Sequence, residues 1–222
     1  MFEQPIFRDR FDAGRILAKL VSRSVHDAKC LVLALPRGGV PVGYELARAL
    51  HADLDVFIVR KLGLPGQEEL AIGAIASGGV RVLNKALIDE VQLSRTLIDQ
   101  ISAREELELK RREELYREGR AAVPVRNRTV ILVDDGLATG ASMKAASQAL
   151  RLQAPKRVVV AVPVAAEQTC EEFRKEVDEV VCAYTPALFV SVGTWYEDFS
   201  QTTDEEVQRL LRLAEKKTHP DS

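Results

Sequence analysis

Cysteine is scarce in this chain and never clustered. The 222 residues hold three, Cys30, Cys170 and Cys182, with no CxxC pairing, which argues against a disulfide framework or a zinc knuckle and fits reduced thiols. The three histidines, His26, His51 and His219, are as scattered, so no metal cage built from protein ligands alone is expected. Neither sign of charge dominates: 31 Lys and Arg face 33 Asp and Glu, a formal net charge of −2. A protein that neutralises many phosphates needs a basic excess that is missing here, so nucleic acid is not an expected partner. No apolar run is long enough to span a bilayer, and the opening MFEQPIFRDRFDAG lacks the apolar core of a signal peptide. A cytoplasmic protein without membrane contact is therefore expected. GxxxxGK[ST] and the dinucleotide glycine fingerprint are both absent, which excludes those NTPase and dehydrogenase signatures.

What is present is an alternation of apolar strand-like runs and helical patterns, with 46% hydrophobic residues to fill one substantial core. Asp12 to Val21 has helical spacing; Cys30 to Leu35 predicts a strand, Val40 to Leu50 a helix and Leu54 to Arg60 the next strand. Leu70 to Ala76 and Val80 to Leu83, around Ser77, Gly78 and Gly79, read as a hairpin. Asn84 to Arg120 is mostly helical, with a break near Ser94 and Gly119 closing it; its charges of both signs read as a solvated helix face. Strands at Thr129 to Val133, Arg157 to Val162 and Glu179 to Cys182 alternate with helices at Met143 to Leu152 and Glu167 to Lys175, and Asp204 to Lys217 is an amphipathic closing helix. The expected fold class is α/β: a mostly parallel sheet of about five strands flanked by helices, with an added hairpin and a helical insertion at 84–120, all in one domain over 1–222.

Three segments carry chemistry. In VILVDDGLATGAS, from Val130 to Ser142, a buried strand delivers two acids and a small-residue loop to the start of a helix. Ligands of α/β sheets bind at such carboxyl ends. Unpaired amides of Ala138, Thr139, Gly140, Ala141 and Ser142 at a helix N-terminus favour a phosphate monoester, with Thr139 and Ser142 adding hydroxyls. Asp134 and Asp135 can accept hydrogen bonds from vicinal hydroxyls, so the segment describes a sugar phosphate. A plain helix cap would account for one acid, not two. In LALPRGGVPVG, from Leu33 to Gly43, Gly38 and Gly39 free the backbone to turn amides toward an anion, and Arg37 offers a planar fork to a diphosphate. In IVRKLGLPG, from Ile58 to Gly66, Arg60 and Lys61 read as a cationic strand tip for the same diphosphate.

The first segment resembles the phosphoribosyl pyrophosphate (PRPP) motif of type I phosphoribosyltransferases. The resemblance implies that family's fold with a small hood, a PRPP site over Asp134, Asp135, Gly136, Leu137, Ala138, Thr139, Gly140, Ala141 and Ser142, and a pyrophosphate site at Arg37, Gly38, Gly39, Arg60 and Lys61. It also implies a non-proline cis peptide near Arg37 and Gly38. Asp134, Asp135, Arg37 and Lys61 become the candidate catalytic residues for transfer of ribose 5-phosphate from PRPP to a nitrogen acceptor, a nucleobase, in nucleotide salvage. Mg²⁺ is the implied cofactor, held by PRPP oxygens and through water by Asp134 and Asp135, and a homodimer is the implied assembly. Residues 1–20 and 184–203 are the candidate hood. There Phe7, Trp195, Tyr196 and Asp198 are candidate base-binding residues; the aromatics equally suit a lid packing the C-terminal helix onto the sheet. Ala138 stands where hypoxanthine and guanine enzymes usually carry an acid, as it does in adenine enzymes, whose IFRD-like hood and RKLGLPG-like loop this chain also resembles. The insertion and the VGTWYEDFSQ tail are unlike adenine enzymes, and over nearly its whole length the chain resembles uncharacterised bacterial phosphoribosyltransferase-domain proteins. A second reading remains open: a non-catalytic regulator that binds PRPP or a nucleotide on the same fold.

Overall fold

Residues 4–27 and 29–218 are described by a computed structural model; His219 lies outside them. The chain runs α1 (Arg10–Val21), β1 (Leu31–Ala34), α2 (Gly39–Leu50), β2 (Asp53–Val56), β3 (Val59–Leu64), β4 (Gln67–Ala76) and β5 (Val80–Leu83). It continues with α3 (Lys85–Glu90), α4 (Arg95–Arg117), β6 (Thr129–Val133), α5 (Ala141–Arg151), β7 (Arg157–Val164), α6 (Glu167–Phe173), β8 (Glu179–Tyr184) and α7 (Asp204–Thr218).

Five strands form a parallel sheet in the order β2-β1-β6-β7-β8. The order reverses between β1 and β6, and at such a switch point two strand-to-helix loops diverge and leave a crevice for a ligand. The period of two in β6 explains the layers. Val130 and Leu132 pack with Met143, Ala146 and Leu150 of α5 and with Cys170 and Phe173 of α6. Ile131 and Val133 turn the other way, onto Leu17 and Val21 of α1 and Val42 and Leu46 of α2. Both faces are covered, so the strand reads as a continuous apolar run rather than an alternating one.

The expected strand from Leu54 to Arg60 is in fact two. β2 ends at Val56; Phe57 donates its amide to Ala34, and the chain then leaves the parallel sheet to begin β3 at Val59. Ser77 fixes the departure: its Oγ accepts from Ile58 N at 2.9 Å and its own amide donates to Ile58 O. Phe57 and Ile58 are buried and apolar, with neither Gly nor Pro to mark the change of sheet. The expected hairpin is present as β4 and β5, and β3 joins it to make a three-stranded antiparallel sheet. Within 84–120, Asn84 caps α3 and Ser94 caps α4. Ile98, Ile101 and Leu109 of α4 pack with Leu62 and Ile72 of the smaller sheet and Val207 and Leu210 of α7. No helix among the described residues is long and apolar enough to cross a membrane.

Candidate active site

β1 and β6 are neighbours, and Leu35 N donates to Val133 O at 2.8 Å, so the loops that follow them start side by side. The first contains a cis peptide between Pro36 and Arg37 and enters α2 at Gly39. Its glycines are dictated by contact. A Cβ on Gly38 would fall inside van der Waals contact with Oδ2 of Asp135 and 2.7 Å from its Cγ; one on Gly39 would lie 2.8 Å from Val133 O. The Arg37 loop and the Asp134–Asp135 pair are therefore packed directly on each other.

The two acids differ. Asp134 accepts from the Asp135 amide at 2.8 Å, which turns its carboxylate back over the strand end. Asp135 is paired with Arg10, whose Nε donates to Oδ2 at 2.8 Å, the two side chains being 11% and 16% exposed. Burial pushes the Asp134 carboxyl well above the usual carboxylate range, and the charge of Asp135 adds to it. Burial also raises Asp135, opposed by the Arg10 guanidinium. One cation against two carboxylates leaves an acidic, desolvated pair, a donor set suited to hydroxyls or a hard cation.

Beyond the acids the loop divides in two. Gly136 lies against Val192, and Leu137 is buried with its amide on Val164 O, so these two anchor the loop. Ala138, Thr139, Ala141 and Ser142 are exposed. Gly140 takes a left-handed φ of 68° and starts α5 with no side chain of its own to cap it, and the Ala141 amide reaches the Thr139 hydroxyl only at 3.5 Å. α6 supports the turn from behind: Thr169 Oγ1 donates to Ala138 O at 3.1 Å, and the Phe173 ring lies where a Cβ on Gly140 would project.

Arg37 is partly exposed, its Nη1 3.6 Å from Oδ1 of Asp204 at the start of α7. Arg60 and Lys61 are not at a strand tip. They lie inside β3, opposite Ile75 and Ala74, and Glu105 of α4 holds Arg60 with bonds of 2.7 and 3.0 Å. In the RKLGLPG run, Leu62 to Leu64 continue β3, and Pro65 and Gly66 make the turn into β4.

The aromatic residues expected to stack on a base are core residues. Phe7, Trp195 and Tyr196 are 1%, 2% and 4% exposed and pack with Ala13 and Val164. They pack the N-terminal segment against the 192–196 segment, and no α7 residue belongs to their cluster among the described residues. Phe7 and Tyr196 form a parallel bridge, Tyr196 Oη donates to Asp135 O at 2.6 Å, and Glu197 and Asp198 donate their amides to Phe7 O and Arg8 O. Asp198 itself is exposed, and its carboxylate accepts from Ser200 N. Arg10 gives no signal in the sequence: its partners are Asp135, Ser200 O at 2.7 Å and the face of the Phe199 ring, 3.9 Å from its guanidinium carbon. All three lie more than a hundred residues away, so no local pattern announces them.

Paired carboxylates beside a helix-start loop, with an arginine loop packed against them at the switch point, place this chain in the class of α/β proteins with a ligand crevice at the carboxyl ends of their parallel strands. The sequence profile of the phosphoribosyl transferase domain matches residues 63–197, and the chain belongs to that family. Proteins of Mycobacterium tuberculosis strains CDC 1551 and H37Rv, each provisionally named a phosphoribosyl transferase, are 47% identical over 209 residues, 94% of this chain. That match is 47% of their own length, so the chain spans about half of the curated relatives it resembles. The crystal structure of TT1426 from Thermus thermophilus aligns with a TM-score of 0.83 at 43% identity, covering 93% of this chain and 97% of that one. The type I phosphoribosyltransferase fold implied by the PRPP-like motif is the fold observed.

Proposed function

We propose that this chain transfers the ribose 5-phosphate of PRPP to a nitrogen acceptor of the nucleobase class and releases pyrophosphate, in nucleotide salvage. The single observation that carries the reading is the packing of Gly38 on Asp135, which sets the arginine loop against the carboxylate pair and the helix-start loop beyond it. On this reading Asp134 and Asp135 accept the ribose 2- and 3-hydroxyls, and the amides of Ala138 to Ser142 bind the 5-phosphate at the start of α5. Arg37 meets the diphosphate on C1. Departure of pyrophosphate leaves an oxocarbenium-like ribose, so these groups act by neutralising the leaving group and fixing the sugar while the acceptor approaches. The excess carboxylate charge of Asp134 and Asp135 fits Mg²⁺, which would supply further neutralisation of the diphosphate when bound.

Phe7, Trp195 and Tyr196 are given no base-binding role, because their rings are covered. Phe199, 37% exposed and stacked under Arg10, is the aromatic surface left beside the carboxylates and is assigned to the acceptor side. Incubation with PRPP, Mg²⁺ and a panel of nucleobases, following pyrophosphate release, tests the reading. Base-dependent release, abolished by Asp135→Asn, is expected. Tight PRPP binding without turnover on any acceptor would replace it with the regulator.

A further inference from the structure

A second group of cations lies next to the carboxylate site. α4 carries Arg111 and Arg112 to a cavity of about 360 Å³ that Arg37 also lines, with Tyr116 and Asp204 among its other walls. These guanidinium groups are not locked in the core: the side chains of Arg37, Arg111 and Arg112 are 36%, 61% and 37% exposed. Glu108 holds Arg111 through bonds of 2.7 and 2.9 Å and Arg112 through one of 2.8 Å. Asp204 faces Arg37, and its Oδ1 also accepts from Tyr116 Oη at 2.8 Å. Three guanidinium groups thus converge on one cavity, facing Glu108 and Asp204, with Glu205 of α7 also within electrostatic reach of Arg37.

We propose that Arg111 and Arg112 complete a diphosphate site with Arg37, so that α4 supplies cations for the leaving group while Arg60 of β3 is held by Glu105. The proposal rests on the transferase reading and names its leaving-group residues. Arg37 directly precedes Gly38, which packs on Asp135, so the arginine cavity and the sugar-binding acids adjoin one loop. A diphosphate bonded to C1 of a ribose held by those acids must extend past that loop. Its paired oxygens match the planar fork of a guanidinium, two donors at a time. Asp204 serves as the internal anion that the diphosphate displaces. Its 3.6 Å separation from Arg37 exceeds hydrogen-bonding distance, and a solvent-exposed ion pair of this kind breaks at little cost.

The test is calorimetric titration of the full chain with inorganic pyrophosphate and, separately, with ribose 5-phosphate. The double variant Arg111→Gln, Arg112→Gln is expected to weaken pyrophosphate binding about 30-fold, the scale of losing two or more charge-assisted hydrogen bonds, and to leave ribose 5-phosphate binding unchanged. The control Arg104→Gln, Lys110→Gln removes the same charge from exposed positions of α4 outside the cavity and is expected to change pyrophosphate binding no more than about twofold. Asp204→Asn keeps an acceptor for Tyr116, removes the competing charge, and is expected to strengthen pyrophosphate binding. Retained ribose 5-phosphate binding certifies that each variant is folded; should the double variant lose it, the single substitutions at 111 and 112 carry the same comparison. Pyrophosphate binding that is absent from the wild type, or that responds to the cavity arginines no more than to the control, overturns the proposal. Failure of the wild type to bind ribose 5-phosphate would instead remove the transferase reading beneath it.

Discussion

Replacing Arg10 with Met keeps much of the apolar stem against Phe199 and deletes the charge that faces Asp135. Opposite charges about 4 Å apart attract by roughly 4 kcal/mol at the effective dielectric of a partly buried site. The observed pair has Nε to Oδ2 at 2.8 Å, and the same guanidinium donates to Ser200 O at 2.7 Å. Desolvation of both ions opposes the attraction, but that cost is already borne in the fold, so removing one partner leaves a covered carboxylate without its counter-charge. Arg10→Met is therefore expected to destabilise the protein by about 2–4 kcal/mol in urea unfolding. A double-mutant cycle with Asp135→Asn isolates the pair. The double variant should be more stable than the sum of the singles implies, by about 1–3 kcal/mol. Additivity within about 0.5 kcal/mol would show that Arg10 acts through Ser200 and Phe199 alone and would refute the electrostatic account of Asp135.

Gly38→Ala forces the new methyl onto the Asp135 carboxylate, so either the acid or the Arg37 loop must move; a stability loss of about 1–3 kcal/mol and weaker ribose 5-phosphate binding are expected, and unchanged binding would show that the two loops are not jointly required. Tyr116 is pushed up to about 12 by burial and by its bond to Asp204. Folding thus favours the protonated phenol: this contribution is intact below the ordinary tyrosine value of 10.0 and is lost as pH rises through about 12. Tyrosinate absorbance and unfolding midpoints between those limits should show a late step that Tyr116→Phe removes; a curve unaltered by that substitution would refute the assignment.

The segment from Thr129 to Ser142 is legible because its periodicity, its acids and its small residues each have a local cause, and the observed strand has the limits the pattern gives. The cis peptide, expected near Arg37 and Gly38, falls at Pro36–Arg37. Other features have no local cause. The change of sheet at Phe57 occurs within an unbroken apolar run, where strand propensity is satisfied in either sheet. Ring burial at Phe7, Trp195 and Tyr196 and stacking on a ligand call for the same residue types, so composition does not separate them. Arg60 and Lys61 look like a strand tip only because β2 and β3 read as one strand. Arg111 and Arg112 do belong to a solvated face, as their charge pattern implies; that the face turns toward Arg37 is a matter of helix placement, which charge patterning does not encode.

The clasp between the two candidate hood segments sets an order of events during synthesis. Asp135 and its strand can be made and packed while Tyr196, Phe199 and Ser200 are still unmade, yet Arg10 needs the last two and the Phe7 bridge needs the first. A nascent chain ending before residue 196 can hold both carboxylates and the loop that starts α5 but cannot close the N-terminal segment over them. Contacts of such long sequence separation form late. Closure of the N-terminal segment over the carboxylates should therefore follow in one step once residues 196–200 are made, so that the surroundings of Asp135 are completed late in synthesis.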